Sequence, residues 1–289
     1  MTNADELGGR FTFPGTSLTV HRMGYGAMQL AGPYVWGPPG DPETAAAVLR
    51  EAVALGIDHF DTSDAYGPHV TNQLIRGTLH PYPENVVIVS KVGGRRGADK
   101  SWLPAMSPAD IRADIQMNLR HLGLEAIDVV NLRMMSMTPT EGPLDQELAV
   151  LIELEREGLV RHIGLSNVTA RQVAQAQALT EIVCVQNHYN LAHRGDDALI
   201  DALAQQGIAY VPFFPLGGFT PLQSTILSKV ADELGATPMQ VALAWLLQRA
   251  PNILLIPGTS SVAHLRENVA SASLVLPAES IAALDEIAH

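Results

Sequence analysis

Gly56-Ile-Asp-His-Phe-Asp-Thr-Ser-Asp-Ala-Tyr-Gly67 contains one working unit of the pattern from which the whole chain is built. Ile57 to Phe60 is a short run able to form a strand, with Gly56 ending whatever precedes it. The run passes into a polar loop of Asp61, Thr62, Ser63 and Asp64, then Tyr66 and a turn glycine. A carboxylate at a strand's end and a phenol five residues on form a plausible acid–base pair. Taken alone, Asp61 reads as well as a helix cap and Tyr66 as a packing aromatic. A phenol is a poor proton donor at neutral pH, since its unperturbed pKa is about 10. The usual remedy is a nearby ammonium, which favours the phenolate. The next apolar run, Val86-Val-Ile-Val-Ser-Lys91, ends on such a group. That second strand end shifts the balance toward a site.

Outward from this stretch the same unit repeats: apolar strand, polar or glycine-bearing loop, amphipathic helix, glycine. Strands are predicted near 23–27, 57–60, 86–90, 127–132, 160–165, 182–186, 208–213 and 252–256. Helices are predicted near 42–55, 69–79, 108–122, 145–157, 169–178, 196–206, 238–249 and 262–271, with a further one over 278–288. Gly56, Gly123, Gly158 and Gly207 stand where helices should stop. Asp41-Pro42, Ser107-Pro108 and Thr237-Pro238 each set a cap residue before a proline at the first helical position. Strand–helix alternation specifies a parallel sheet, and eight units favour closure into a (β/α)8 TIM barrel. The open-sheet rival would want a glycine fingerprint, but Gly24-Tyr-Gly-Ala-Met-Gln29 lacks the third glycine and runs into a long Pro/Gly-rich loop. Phe11 to Val20, turned by Pro14-Gly15, reads as an N-terminal β-hairpin. No linker or composition break divides residues 1–289, so one domain is expected, with polar residues 1–10 fraying at its start.

The formal charge of −12 speaks against nucleic-acid or anionic-membrane partners. The 47% apolar and 17% charged content suits a large core. No apolar run reaches the ~18 residues of a membrane span and no signal peptide opens the chain. Cys184, the single cysteine, sits in an apolar run and reads as a small buried hydrophobe. A cytoplasmic protein is expected. The ten histidines are scattered; even His188 and His193, five apart, match no ligand spacing, so no metal site is expected.

In such a barrel, chemistry gathers at the carboxyl ends of the strands. Asp61, Lys91, Arg133, Ser166, Asn167 and Gln186 all stand there, although Ser166 or Asn167 could serve as a cap. With Gly164-Leu-Ser-Asn167, Phe213-Phe-Pro-Leu-Gly217, Ile256-Pro-Gly-Thr259 and Glu267-Asn268, these pieces resemble the aldo-keto reductase superfamily over essentially the whole chain. The resemblance implies a barrel holding an extended NAD(P)H across its mouth. Tyr66 would be the general acid in carbonyl reduction, Lys91 the ammonium that tunes it and Asp61 the partner of Lys91. Ser166, Asn167 and Gln186 would hold the nicotinamide carboxamide, and Phe213 would stack on its ring. Gly26, Ala27, Met28 and Pro215 would line the cofactor. Leu216, Gly217 and Gly218 would approach the pyrophosphate, and Ser260, Ser261, His264, Glu267 and Asn268 the adenosine end. Tyr66, Arg133, Trp36 and Trp102 would meet the substrate.

Two departures from the family pattern carry weight. Leu132-Arg133 stands where the family usually has leucine–histidine, which leaves reduction expected but bears on substrate choice. Gly258 and His264 stand where many relatives carry lysine and arginine around the 2′-phosphate, so NADPH is favoured over NADH by a narrower margin. Gly24 to Gly32, Ala98 to Pro104, Asn131 to Met134 and Phe213 to Pro221 look most like the branch that reduces pyridoxal. The expected function is therefore reduction of a small aldehyde, pyridoxal first. A general aldehyde reductase, an NAD-linked dehydrogenase and a nicotinamide-binding redox sensor are the alternatives. The sequence carries no signal of oligomeric state.

Overall fold

The computed structural model describes residues 7–136, 138–218 and 223–288. The chain opens with an antiparallel hairpin of β1 (Arg10–Thr12) and β2 (Thr19–His21). Seven parallel strands follow around the centre: β3 (Tyr25–Gly26), β4 (His59–Asp61), β5 (Val87–Val92), β8 (Ile127–Arg133), β9 (Val160–Ser166), β10 (Ile182–Gln186) and β11 (Ala209–Tyr210), hydrogen-bonded to one another in that order. A second antiparallel ribbon, β6 (Gly94–Arg96) with β7 (Trp102–Pro104), rises after β5. The helices are α1 (Pro42–Ala54), α2 (Val70–Leu79), α3 (Pro108–Leu122), α4 (Asp145–Arg156), α5 (Ala170–Gln177), α6 (Asp197–Gln205), α7 (Thr225–Leu234), α8 (Pro238–Arg249), α9 (Val262–Ala270) and α10 (Ala278–Asp285).

The expected eighth strand is the main difference. Residues 252–258 lie between β11 and β3 and close the ring, but by isolated parallel bridges, Tyr210 with Ile253 on one side and Met23 with Leu255 and Gly26 with Gly258 on the other. Both flanking strands are only two residues long, so no two consecutive pairs form on either side. The run expected at 208–213 is a strand only over Ala209–Tyr210. Closure still holds: Leu254 N–H donates to Tyr210 O at 2.9 Å and Gly24 N–H to Leu255 O at 2.7 Å. The result is the (β/α)8 architecture, opened by the hairpin. Helix α7 was not foreseen. The start of the chain is also more ordered than expected, because Leu7 packs in the core and Arg10 begins β1; Met1 to Glu6 lie outside the described residues.

Helix boundaries follow local chemistry. The Asp41 carboxylate accepts from Glu43 and Thr44 N–H, Ser107 caps α3, and Thr169 and Thr237 form reciprocal capping boxes with Gln172 and Gln240. Gly56, Gly123, Gly158 and Gly207 take φ between 69° and 88°, the left-handed turn that ends each helix.

Side-chain parity then sorts the core. Alternate strand residues face opposite sides, so Val87 and Val89 pack inside the ring with Val129, Cys184 and Leu254, while Ile88 and Val130 face the helices. Phe13 and Val20 of the hairpin join the inner set and plug one end. Continuing the same parity brings Lys91 after Val89, Arg133 after Val129 and Gln186 after Cys184 to the inner face at the opposite end. Among the described residues, no helix is long and apolar enough to cross a membrane.

Candidate active site

Strand register lines up the polar ends. Gly26 pairs with Asp61, Lys91 with Asn131, and Arg133 with Ser166, which in turn pairs with Gln186. Six polar side chains scattered through the sequence thus meet at one mouth. Lys91 Nζ donates to Asp61 Oδ1 at 2.5 Å and to Thr62 O at 2.9 Å, and Gln186 Nε2 donates to Asp61 Oδ2 at 2.8 Å. Both charged side chains are only 4% exposed. A buried ion pair contributes little net stability, because desolvation offsets most of its attraction. Its position is better explained by chemistry: Lys91 Nζ lies 5.4 Å from the centroid of the Tyr66 ring. Ammonium, carboxylate and phenol therefore form one cluster, able to pass a proton from the phenol while a fixed cation balances the charge left behind.

The cluster is roofed by two excursions of the chain. Trp102 from β7 meets Tyr66 edge to face at 6.5 Å. Trp36 pairs with Gly67, next to Tyr66. Arg96 sits between the two indoles, 4.3 Å from Trp102 and 5.4 Å from Trp36, and donates to Val35 O, Tyr34 O and Lys100 O. Arg133 lies on Trp102 at 5.2 Å and is 8% exposed. Burial draws its guanidinium below the ordinary value, opposed by the charges of Tyr66, Asp61 and Asp114. Sequence reasoning missed Arg96, whose partners belong to other loops.

The residues expected along a cofactor occupy one side of the mouth. Gly26 approaches Ile256 O so closely that a Cβ there would sit 2.4 Å from it, which only glycine allows. Ala27 and Met28 begin a short 3-10 turn. Phe213 stacks on His188 at 5.5 Å, a partner not foreseen, and His193 lies 4.2 Å from the same imidazole. Pro215 is buried and Leu216 half-buried, ahead of Gly217 and Gly218. Ser261 caps α9 and accepts from His264 N–H, whereas Glu267 is held by Thr237 at 2.5 Å and Asn268 is buried. A cavity of about 380 Å³ opens between Met28, Gly32, Asp41 and Ser260. One observation tests whether a nicotinamide group suits the set. Asn167, held at φ 59°, donates to Met134 O at 2.7 Å and leaves its Oδ1 buried without a partner. A buried acceptor without a donor calls for one, and a carboxamide N–H supplies it. The residues fit the group.

The histidines are less scattered than expected. His69 Nδ1 lies 2.6 Å from Asp64 Oδ2 and His121 Nδ1 lies 2.8 Å from Asp64 Oδ1. These three groups lie within 4.8 Å of one another. The bond to Asp64 raises the pKa of His69 above its ordinary value. The triad ties the loop bearing Tyr66 to α2 and α3. Residues 57 apart along the chain make it, so no spacing rule could find it.

The comparisons with known proteins agree with this geometry. The family model described as "Aldo/keto reductase family" matches residues 22–289. The chain is 64% identical over 281 residues to pyridoxine 4-dehydrogenase of Escherichia coli (strain K12), covering 96% of this chain and 98% of that protein. Among solved structures, a thermostable aldo-keto reductase in complex with the inhibitor epalrestat superposes with a TM-score of 0.82 at 27% identity, covering 96% of this chain and 99% of that one. An aldo-keto reductase from Klebsiella pneumoniae in complex with NADPH does so with 0.76 at 24% identity, covering 93% and 91%, and shows the shared fold. With a match across nearly its whole length and strand ends that bring lysine, aspartate and tyrosine together, the chain belongs to the aldo/keto reductase family of nicotinamide-dependent oxidoreductases.

Proposed function

We propose that this enzyme reduces pyridoxal to pyridoxine with NADPH, with Tyr66 as the general acid. The observation that carries the substrate is the near-full-length identity to a pyridoxine 4-dehydrogenase. When bound, the reduced nicotinamide supplies a hydride to the aldehyde carbon. As negative charge builds on the carbonyl oxygen, the Tyr66 hydroxyl donates its proton there. The Lys91 ammonium against the ring balances the phenolate that remains. Asp61 holds that ammonium with one oxygen and Gln186 with the other, so the cation cannot swing away during the transfer. Trp36 and Trp102 wall the aromatic substrate and exclude water. Ser166, Asn167 and Gln186 hold the carboxamide, and Phe213 flanks the ring. Gly26, Ala27, Met28, Pro215, Leu216, Gly217 and Gly218 follow the cofactor toward Ser260, Ser261 and His264 at the 2′-phosphate. Cys184, buried with its thiol pushed up to about 12, needs no oxidising compartment, which suits a cytoplasmic enzyme.

The test is a steady-state panel of pyridoxal and simple aldehydes with NADPH and NADH. The highest kcat/KM is expected for pyridoxal with NADPH. Similar values across all aldehydes would make this a general reductase. In the same panel, Ser260→Ala combined with His264→Ala should weaken NADPH more than NADH; equal weakening would put the 2′-phosphate elsewhere.

A further inference from the structure

Three arginines surround the β6–β7 ribbon, and they differ in what they hold. Arg95 is paired with Asp110 and Asp114, and Arg96 donates through its two terminal nitrogens to three carbonyls, its Nε being buried without a partner. Arg133 has a single carbonyl partner and, among the described residues, no carboxylate. That bond is long, 3.4 Å to Gly94 O, the Arg133 Nε is buried with no partner, and no carboxylate lies within ion-pair distance among the described residues. The nearby acids are turned to other cations: Asp61 holds Lys91 and accepts from Gln186, and Asp114 holds Arg95 through one oxygen while its other is buried without a partner. Buried charges in folded proteins are paired, so a cation left in this state beside a catalytic cluster is aimed at a ligand. Arg133 and Tyr66 flank the same indole, Trp102. An anion bound by the arginine therefore sits beside the group that the tyrosine protonates.

We propose that Arg133 binds an anionic oxygen on the carbon adjacent to the one bearing the aldehyde, so that the enzyme selects ortho-hydroxy aromatic aldehydes as their phenolates. The inference deepens the pyridoxal reading and rests on it, since pyridoxal carries a ring hydroxyl beside its aldehyde. In such a molecule the phenolate and carbonyl oxygens lie side by side on a planar frame, much as in a carboxylate. The planar fork of a guanidinium matches two such oxygens, and an ammonium does not.

Two substrate pairs test it: pyridoxal against its 3-O-methyl ether, and salicylaldehyde against benzaldehyde. Each is measured with the wild-type enzyme, Arg133→Gln and Arg133→Lys, with folding checked by thermal melting. Intrinsic reactivity cancels when each variant is divided by wild type on the same substrate. Arg133→Gln is expected to cost roughly 10–100-fold more of kcat/KM on the hydroxylated member of each pair, the factor of one charge-assisted hydrogen bond. Arg133→Lys should fall between. Equal losses within both pairs overturn the proposal. A difference on salicylaldehyde together with no preference for pyridoxal over simple aldehydes upholds the role of Arg133 and overturns pyridoxal as the substrate. Wild-type enzyme alone gives a second reading, should the variants fail to fold. With NADPH present, at a pH just below the ionisation of its ring hydroxyl, pyridoxine should shift its ultraviolet spectrum toward the phenolate on binding. An unchanged spectrum in the saturated complex overturns the proposal.

Discussion

Tyr66 is 6% exposed, with a cation 5.4 Å from its ring centroid and an indole edge to face with it. Its hydroxyl is the one atom that separates the proposed chemistry from mere binding. Tyr66→Phe removes that atom and little packing, so it should keep cofactor affinity, measured by fluorescence titration, while lowering kcat for aldehyde reduction by about 10²–10⁴-fold. A loss well below that range would point to another donor. The neighbouring residues explain why the tyrosine holds its place. Asp64 accepts from His69 and His121 and also from Asn72, whose Oδ1 takes the Thr62 hydroxyl and whose amide reaches Asn118. Ser90, beside Lys91, donates to the same Asn118 oxygen. One polar network thus spans the strand ends carrying Asp61 and Lys91 and the loop carrying Tyr66.

Among the elements, the β6–β7 ribbon and the loop at 33–37 matter most, because neither belongs to the repeating unit. Tyr34 and Val35 take φ of 62° and 57° in succession. Such conformations cost about 1–3 kcal/mol each for residues with a Cβ, so something must hold them. Arg96 does so, donating to both carbonyls while it lies on Trp36 and Trp102. Arg96→Ala should release the loop and separate the two indoles. The expected outcome is a rise of about tenfold in KM for the aldehyde, the equivalent of ~1.4 kcal/mol, with a smaller change in kcat and faster amide exchange at 33–37. If KM and exchange both stayed as in wild type, the indoles would be held without this arginine.

For the whole molecule, closure of the ring is the weakest point of the sheet, since 252–258 joins its neighbours only by isolated bridges. Arg22 reinforces it with donors to Ile253 O, Leu247 O, Ala250 O and Gly8 O at 2.7–3.2 Å. Burial lowers the pKa of this guanidinium to about 10, so it stays charged at neutral pH. Arg22→Ala should destabilise the fold by about 3 kcal/mol or more, because several charged hydrogen bonds are lost together and carbonyls are left unsatisfied; a denaturant midpoint unchanged from wild type would show that closure does not depend on it. The strand–helix alternation, the helix caps at Asp41, Ser107 and Thr237, and the meeting of Asp61, Lys91 and Gln186 at one mouth were all legible in the sequence. Each follows from a local period or from a rule about where parallel strands end. Tertiary structure alone decided that 252–258 would bridge rather than form a ladder, that Trp102 would fold over Tyr66, and that Asp64 would gather two histidines. It also decided that Arg133, alone among the arginines around the ribbon, would be buried without a carboxylate. A sequence shows which groups a chain carries and which way each strand residue faces. Which groups are left without partners depends on segments tens of residues apart arriving at the same place, and packing alone sets that.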